Sequence, residues 1–177
     1  MDSVEFLILR NLLHNEEYVR KVLPFVKADY FEDTNQRVVF EEISSFVQEY
    51  NEPATKEILC IETEKRNDIN DSSFKEVTTL INSLEDQPSE FDWLVDTTEK
   101  WCRDRAIYLA LMESIQLADG KGEQKGRDAI PSILSDALAV SFDNHIGHDY
   151  LQDYEERYES YHRKEDKIEF DLEFFNK

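Results

Sequence analysis

The residues closest to a metal-site pattern are Glu159-Ser160-Tyr161-His162, toward the end of the chain. Glu159 and His162 would lie one turn apart on a helix, as in the Glu-x-x-His pairs of di-metal helical bundles. Such a site needs a second pair and two further glutamates, and His14, His145 and His148 do not supply that second pair. We therefore expect surface histidines. A metal-dependent all-α enzyme built on Glu159 and His162 stays open as an alternative.

Two further kinds of chemistry depend on motifs that the chain does not provide. A phosphate-binding loop needs Gly-x-x-x-x-Gly-Lys-Ser/Thr, so that successive backbone amides surround the phosphates, and the glycine cluster Gly120–Gly126 lacks that spacing. Nucleophilic catalysis needs a serine or cysteine beside a base. Cys60 and Cys102 instead fall among apolar residues at helical spacing, which is typical of buried small hydrophobes. We expect no catalytic, cofactor-binding or metal-binding residue in this chain.

The balance of charge narrows the classes of partner. The chain has 40 acidic and 20 basic residues, which gives a formal net charge of −20. Surfaces that bind nucleic acid neutralise phosphates with lysine and arginine, so we expect neither DNA nor an anionic membrane to bind directly. The acidity favours either solubility or the attraction of a basic protein partner. It leaves open a stand-alone acidic protein-binding module, or an inhibitor that mimics DNA.

We expect neither a secretory signal nor a membrane span in this chain. The first residues carry no basic leader, and no apolar run approaches the ~20 residues of a membrane span. The two cysteines form no Cys-x-x-Cys pair, which fits a reducing compartment. We expect a soluble protein of the cytoplasm.

Helical periodicity dominates residues 1–87, which we expect to form a globular helical head. The expected helices run from residue 2 or 3 to 14, from 16 to 26 and from 34 to 50, followed by one with Pro53 at its first position and one that opens at Asp71. Before the third helix, Tyr30 and Phe31 are adjacent aromatics, and Asp33 or Thr34 can accept the free amides of the first turn. We interpret residues 28–50 as a helical core closed by an aromatic plug.

Residues 88–146 have the pattern of a long antiparallel helical hairpin. Between residues 88 and 118 apolar residues recur every three or four positions without an internal glycine or proline, and a second apolar helix follows the glycine-rich turn. A protruding hairpin with large apolar side chains needs a second copy to cover it. The residues predicted to mediate this self-association are Trp101, Tyr108, Met112, Ile115, Ile130, Ile133, Leu134 and Ala137.

A third part, residues 147–165, has the pattern of an amphipathic linker helix. Its apolar residues recur at spacings of three and four, and we expect them to dock on another subunit: Leu151, Tyr154, Tyr158 and Tyr161. Residues 166–177 then alternate apolar and polar like a strand that has no partner in this chain. The predicted fold class is all-α, with a head, a long hairpin, a linker helix and an unpaired C-terminal strand-like segment.

Several short stretches together carry a resemblance to a known family. The general ones are Phe6-Leu7-Ile8-Leu9, Leu12-Leu13, Asp29-Tyr30-Phe31, Arg37–Ile43 and Glu52-Pro53. The more particular ones are Trp93-Leu94-Val95, Thr98-Glu99-Lys100, Arg105-Ala106, Ala129-Ile130-Pro131, Ser141-Phe142-Asp143, Gly147-His148-Asp149 and Asp153-Tyr154-Glu155 with Arg157. In this order and spacing the chain resembles the N-terminal region of DnaB-like replicative hexameric DNA helicases, most closely those of T4-type bacteriophages.

The resemblance implies a role within a larger machine. In such helicases the hairpins pair between subunits, as dimers or trimers of dimers in a hexamer, and the heads form a collar that receives primase and the helicase loader. ATP, magnesium and single-stranded DNA would bind only to a RecA-like ATPase domain, whose start we expect at residues 166–177 and whose Walker motifs would lie beyond Lys177. The full-length parent would be an ATP-hydrolysing 5'-3' DNA helicase in the cytoplasm of a bacterial host cell, with this portion inactive alone.

Overall fold

Seven α-helices and two short 3₁₀ turns make up the regular structure of residues 3–120 and 126–142, the part of the chain that the computed structural model describes. This part contains no strand, so the all-α prediction is confirmed for it. The predicted linker helix and the strand-like segment lie outside the described residues. The helices are α1 (Val4–His14), α2 (Glu16–Val22), α3 (Thr34–Tyr50), α4 (Lys56–Glu64), α5 (Asp71–Ser83), α6 (Phe91–Ala118) and α7 (Ile130–Leu138).

Side-chain caps set most of the helix starts. A short or acidic side chain before the first turn accepts backbone amides that have no partner within the helix. Asp33 accepts the amides of Asn35 and Gln36, both at 2.9 Å, and Ser3 accepts the amide of Phe6 at 3.2 Å. The predicted starts of α1 and α3 are therefore confirmed. The other capping residues of this kind are Asn15, Thr55, Asn70 and Glu90.

The second helix and the position of Pro53 were predicted wrongly. The second helix ends at Val22 rather than at residue 26, since Pro24 has no amide to donate and the chain turns there. Pro53 does not open a helix. Asn51 adopts a left-handed conformation with φ of 54° and ends α3, and α4 starts only after Thr55, whose hydroxyl accepts the amide of Ile58.

The aromatic plug lies at the centre of the core. Phe31 is fully buried, and Tyr30 is 3% exposed. The Phe31 ring lies 5.1 Å, between centroids, from the rings of both Phe40 in α3 and Trp101 in α6, and the Tyr30 ring meets Trp101 edge-on at 6.0 Å. Apolar side chains from all seven described α-helices complete this core.

One long helix, α6, links the predicted head to the predicted hairpin. Its 28 residues span roughly 42 Å at 1.5 Å per residue. Near its start the buried Tyr18 hydroxyl donates to Thr98 Oγ1 at 2.6 Å, and the Thr98 hydroxyl donates to the Leu94 carbonyl. The helices of the predicted head (1–87) and hairpin (88–146) share one compact unit, which ends at Phe142.

Candidate self-association surface

The two sides of α6 carry side chains of different size. A buried row of mostly small side chains faces α7 and the head: Thr98, Cys102, Ala106, Ala110, Ser114 and Leu117. Ala106 and Ala110 line a cavity of about 300 Å³ together with Ile133 and Ala137 of α7, which shows that these faces meet. Small side chains let two helix backbones approach closely, so α7 covers this side of α6.

Large apolar side chains occupy the opposite side of α6. Tyr108 is 51% exposed, and Leu111, Met112 and Ile115 are 48%, 43% and 56% exposed. Their spacings of three, one and three residues put them on one face of the helix, within about 100° of arc. We call these four residues the α6 face. Single exposed apolar residues are ordinary, but a contiguous group marks a surface that contacts another protein.

The structure divides the residues predicted for self-association into two groups. Tyr108, Met112 and Ile115 belong to the α6 face. Trp101 is only partly exposed and packs against the plug instead. On α7, Ala137 is buried, whereas the remaining three are partly exposed: Ile130, Ile133 and Leu134. The predicted linker-docking residues lie outside the described residues: Leu151, Tyr154, Tyr158 and Tyr161.

Sequence reasoning missed Leu111 as a member of this surface. It lies three residues after Tyr108 and four before Ile115, which is helical spacing, so the signal was present in the sequence. The predicted row of apolar residues passes through Met112, and Leu111 lies directly beside it in the sequence. An apolar face of this width includes both residues.

A side-chain joint ties α6 to the plug one turn before the α6 face. The Nε of Arg105 donates to the Tyr30 carbonyl at 2.7 Å, and its Nη1 pairs with the Glu32 carboxylate. The guanidinium carbon lies over the Tyr108 ring, 5.0 Å from its centroid. The Arg105 side chain is 14% exposed, so its charge is largely shielded from water. We call Tyr30, Glu32, Trp101 and Arg105 the plug joint.

The cysteines sit in surroundings that favour the thiol over the thiolate. Burial raises the pKa of Cys102 to about 12, and burial also raises the pKa of Cys60. The thiolate is the nucleophilic form, so burial disfavours nucleophilic reaction at Cys102 and acts in the same direction at Cys60. Among residues 3–120 and 126–142, no three His, Cys, Asp or Glu side chains are grouped as a metal site requires. The predicted pair of Glu159 and His162 lies outside these ranges.

Comparison with known proteins shows what this chain is similar to. No protein-family model matches the chain. Over 179 aligned positions the chain is 35% identical to the "DnaB-like replicative helicase" of Enterobacteria phage T4, and the alignment covers 97% of this chain. The chain is a homologue of this phage helicase. The resemblance predicted from the sequence is thereby confirmed.

The homology to the helicase concerns only part of that protein. The chain spans 38% of the length of its T4 relative. None of the described helices is both long and apolar enough to cross a lipid bilayer. The described residues of this chain form an all-α unit. Its largest group of neighbouring exposed apolar side chains is the α6 face.

Proposed function

We propose that the chain is the collar portion of a replicative DNA helicase and that it holds copies of the protein together through the α6 face. The observation that carries this proposal is the group of four large apolar side chains on the side of α6 that α7 leaves uncovered. The homology to a replicative helicase supports the assignment to a protein of this kind. Unwinding of duplex DNA, with ATP and magnesium, is assigned to the remainder of such a helicase.

The amount of exposed apolar surface is sufficient for a specific but moderate association. Burying a large apolar side chain contributes about 1.5–3 kcal/mol, and the four residues are each about half exposed, so covering them contributes about 3–6 kcal/mol per copy. Two copies together supply about 6–12 kcal/mol against an association cost of about 4–15 kcal/mol. The two ranges overlap, so we expect a dimer through this face alone to be weak and a ring to need further contacts.

The rest of the proposed role concerns partners of the head. With a net charge of −20, the collar would attract basic surfaces and repel the phosphate backbone of DNA. Primase and a helicase loader are the partners we propose for the head, and single-stranded DNA is assigned to the motor domain. Docking of the linker helix through Leu151, Tyr154, Tyr158 and Tyr161 on a neighbouring subunit is part of the same proposal.

Sedimentation velocity on the 177-residue chain tests the self-association. The wild type is expected to form dimers or larger assemblies at high micromolar concentration. The pair Met112→Asp and Ile115→Asp should leave a monomer, because two carboxylates then occupy the surface to be buried. Ile61→Asp is the matched control, since Ile61 is 53% exposed on α4, away from the α6 face.

Each outcome of this experiment has a definite meaning. Assembly that survives the double substitution would place the contact elsewhere, and a wild type that stays monomeric at all concentrations would overturn the proposal. Loss of assembly in the Ile61→Asp control as well would show that any added charge disperses the protein. Circular dichroism of each variant confirms that the helices remain folded.

A further inference from the structure

We propose that Arg105 couples the packing of the plug to self-association, so that each strengthens the other. The inference rests on the proposed role of the α6 face. The observation behind it is the position of one guanidinium between two parts of the molecule. Its nitrogens bind the Tyr30 carbonyl and Glu32, and its central carbon lies over the ring of Tyr108, the first residue of the α6 face.

The plug side of this contact is rigid. Tyr30 and Phe31 are buried, and their rings pack on Trp101, which lies one turn before Arg105 on the same helix. Their backbone amides donate to Lys27 and Ala28 at 3.1 Å in the 3₁₀ turn. The carbonyl that accepts from Arg105 Nε therefore belongs to a segment held by packing and by its own hydrogen bonds. This fixes the guanidinium where it meets Tyr108.

The surface side of the contact is exposed to water. Tyr108 is 51% exposed, so water weakens the attraction between its ring and the cation. A second copy that covers Tyr108 removes this water and strengthens the attraction. The added desolvation cost for Arg105 itself is small, because its side chain is only 14% exposed before association and is already bonded to Tyr30 and Glu32.

Thermodynamic linkage makes the effect reciprocal. If the ordered plug joint strengthens association, then association must stabilise the plug joint by the same free energy. Arg105 is thus a positioning residue that acts through Tyr108. A break on either side of its guanidinium, at Glu32 or at Tyr108, should weaken the coupling.

A double-mutant cycle measures the coupling directly. Arg105→Gln should raise the dimer dissociation constant about fivefold, equivalent to about 1 kcal/mol at 1.4 kcal/mol per tenfold. In a Tyr108→Leu background, which keeps apolar bulk without the aromatic ring, the same substitution should have less than a twofold effect. Arg20→Gln is the matched control, since Arg20 pairs with Glu16 on the exposed surface of α2.

Two further variants keep the test independent of folding defects. Glu32→Gln removes the carboxylate from a side chain that is 69% exposed, so it should weaken association two- to threefold without unfolding the protein. Arg105→Lys keeps the charge but loses the fixed planar donors, and its dissociation constant should lie between those of the wild type and Arg105→Gln.

Hydrogen exchange provides the reciprocal readout. The amides of Tyr30 and Phe31 should exchange about fivefold more slowly when the wild type is raised from monomer to dimer concentration, and this slowing should disappear in Arg105→Gln. A purely structural role of Arg105 would speed exchange equally at both concentrations.

The outcomes separate this inference from the function on which it rests. If Met112→Asp and Ile115→Asp abolish association but Arg105→Gln leaves the dissociation constant unchanged, the coupling is overturned and the α6 face stands. If the effects of Arg105→Gln and Tyr108→Leu add fully, the coupling is likewise overturned. If no variant of the α6 face changes the association, the proposed function itself fails.

Discussion

Replacing Phe31 by leucine tests whether aromatic packing in the plug holds the long helix on the head. The Phe31 ring is fully buried and contacts two other rings, those of Phe40 in α3 and Trp101 in α6. Leucine keeps this position apolar, although it is smaller, and removes both ring pairs. The variant therefore tests the ring contacts without introducing a polar group into the core.

The expected loss of stability follows from the two ring pairs. Each pair contributes about 0.5–1.5 kcal/mol beyond its buried area, so Phe31→Leu should lower the free energy of unfolding by about 1–3 kcal/mol. With a urea dependence of about 2 kcal/mol per molar, the midpoint should fall by about 0.5–1.5 M. Unfolding is followed by circular dichroism and by Trp101 fluorescence in a Trp93→Phe background, since Trp93 is 55% exposed and would mask the signal.

Phe46→Leu is the matched control on the outer side of α3. Its ring is only partly buried and pairs with the exposed Tyr50 at 4.6 Å, so its loss should lower the free energy of unfolding by about 0.5 kcal/mol. The Trp101 emission should shift in Phe31→Leu and remain unchanged in Phe46→Leu. Equal losses of stability in the two variants, or an unshifted Trp101 emission in Phe31→Leu, would refute the role given to the plug.

Two further predictions concern a helix cap and an ion pair. Asp33→Ala should lower the free energy of unfolding by about 1 kcal/mol in urea denaturation, because the amides of Asn35 and Gln36 lose their acceptor, whereas Asp33→Asn should be nearly neutral. The hydrogen bond from Arg66 lowers the pKa of Asp68 below its ordinary value, so its contribution to stability is complete above about pH 4 and is lost as pH falls through the lowered pKa. Acid titration of the unfolding midpoint should therefore be shallower below pH 4 in Asp68→Asn than in the wild type, and an unchanged slope would contradict this assignment.

Local signals in the sequence were strong where one residue decides the outcome. Asp33 predicts the start of α3 because its carboxylate reaches the first free amides whatever the rest of the fold does. The pair Tyr30 and Phe31 predicts a plug because two adjacent large rings bring a large apolar area that is stabilising when it is buried. Pro53 misled the prediction, since proline suits a first helical turn but does not require one, and the nearby Thr55 provides the better cap.

Signals that depend on which face of a helix meets its neighbour were weaker. Along α6 both sides carry side chains at helical spacing, and the sequence pattern gives weight to the large ones. In the structure the small residues Ala106 and Ala110 are buried where α6 meets α7, and the four large residues of the α6 face are each about half exposed. The role of Arg105 was hidden for a similar reason, since its partner is a backbone carbonyl 75 positions away.

The arrangement on α6 lets one helix pack into the helical core and also carry the surface that we propose for self-association. The small residues of α6 pack closely against α7. The large apolar residues of the α6 face lie on the opposite side of the helix, where they are exposed. Trp101 and Arg105 differ from the residues of the α6 face, because their side chains contact the plug. The orientation of the α6 face is therefore set by these contacts with the plug, which makes the plug joint the element through which, in our proposal, the packing of the plug and self-association influence each other.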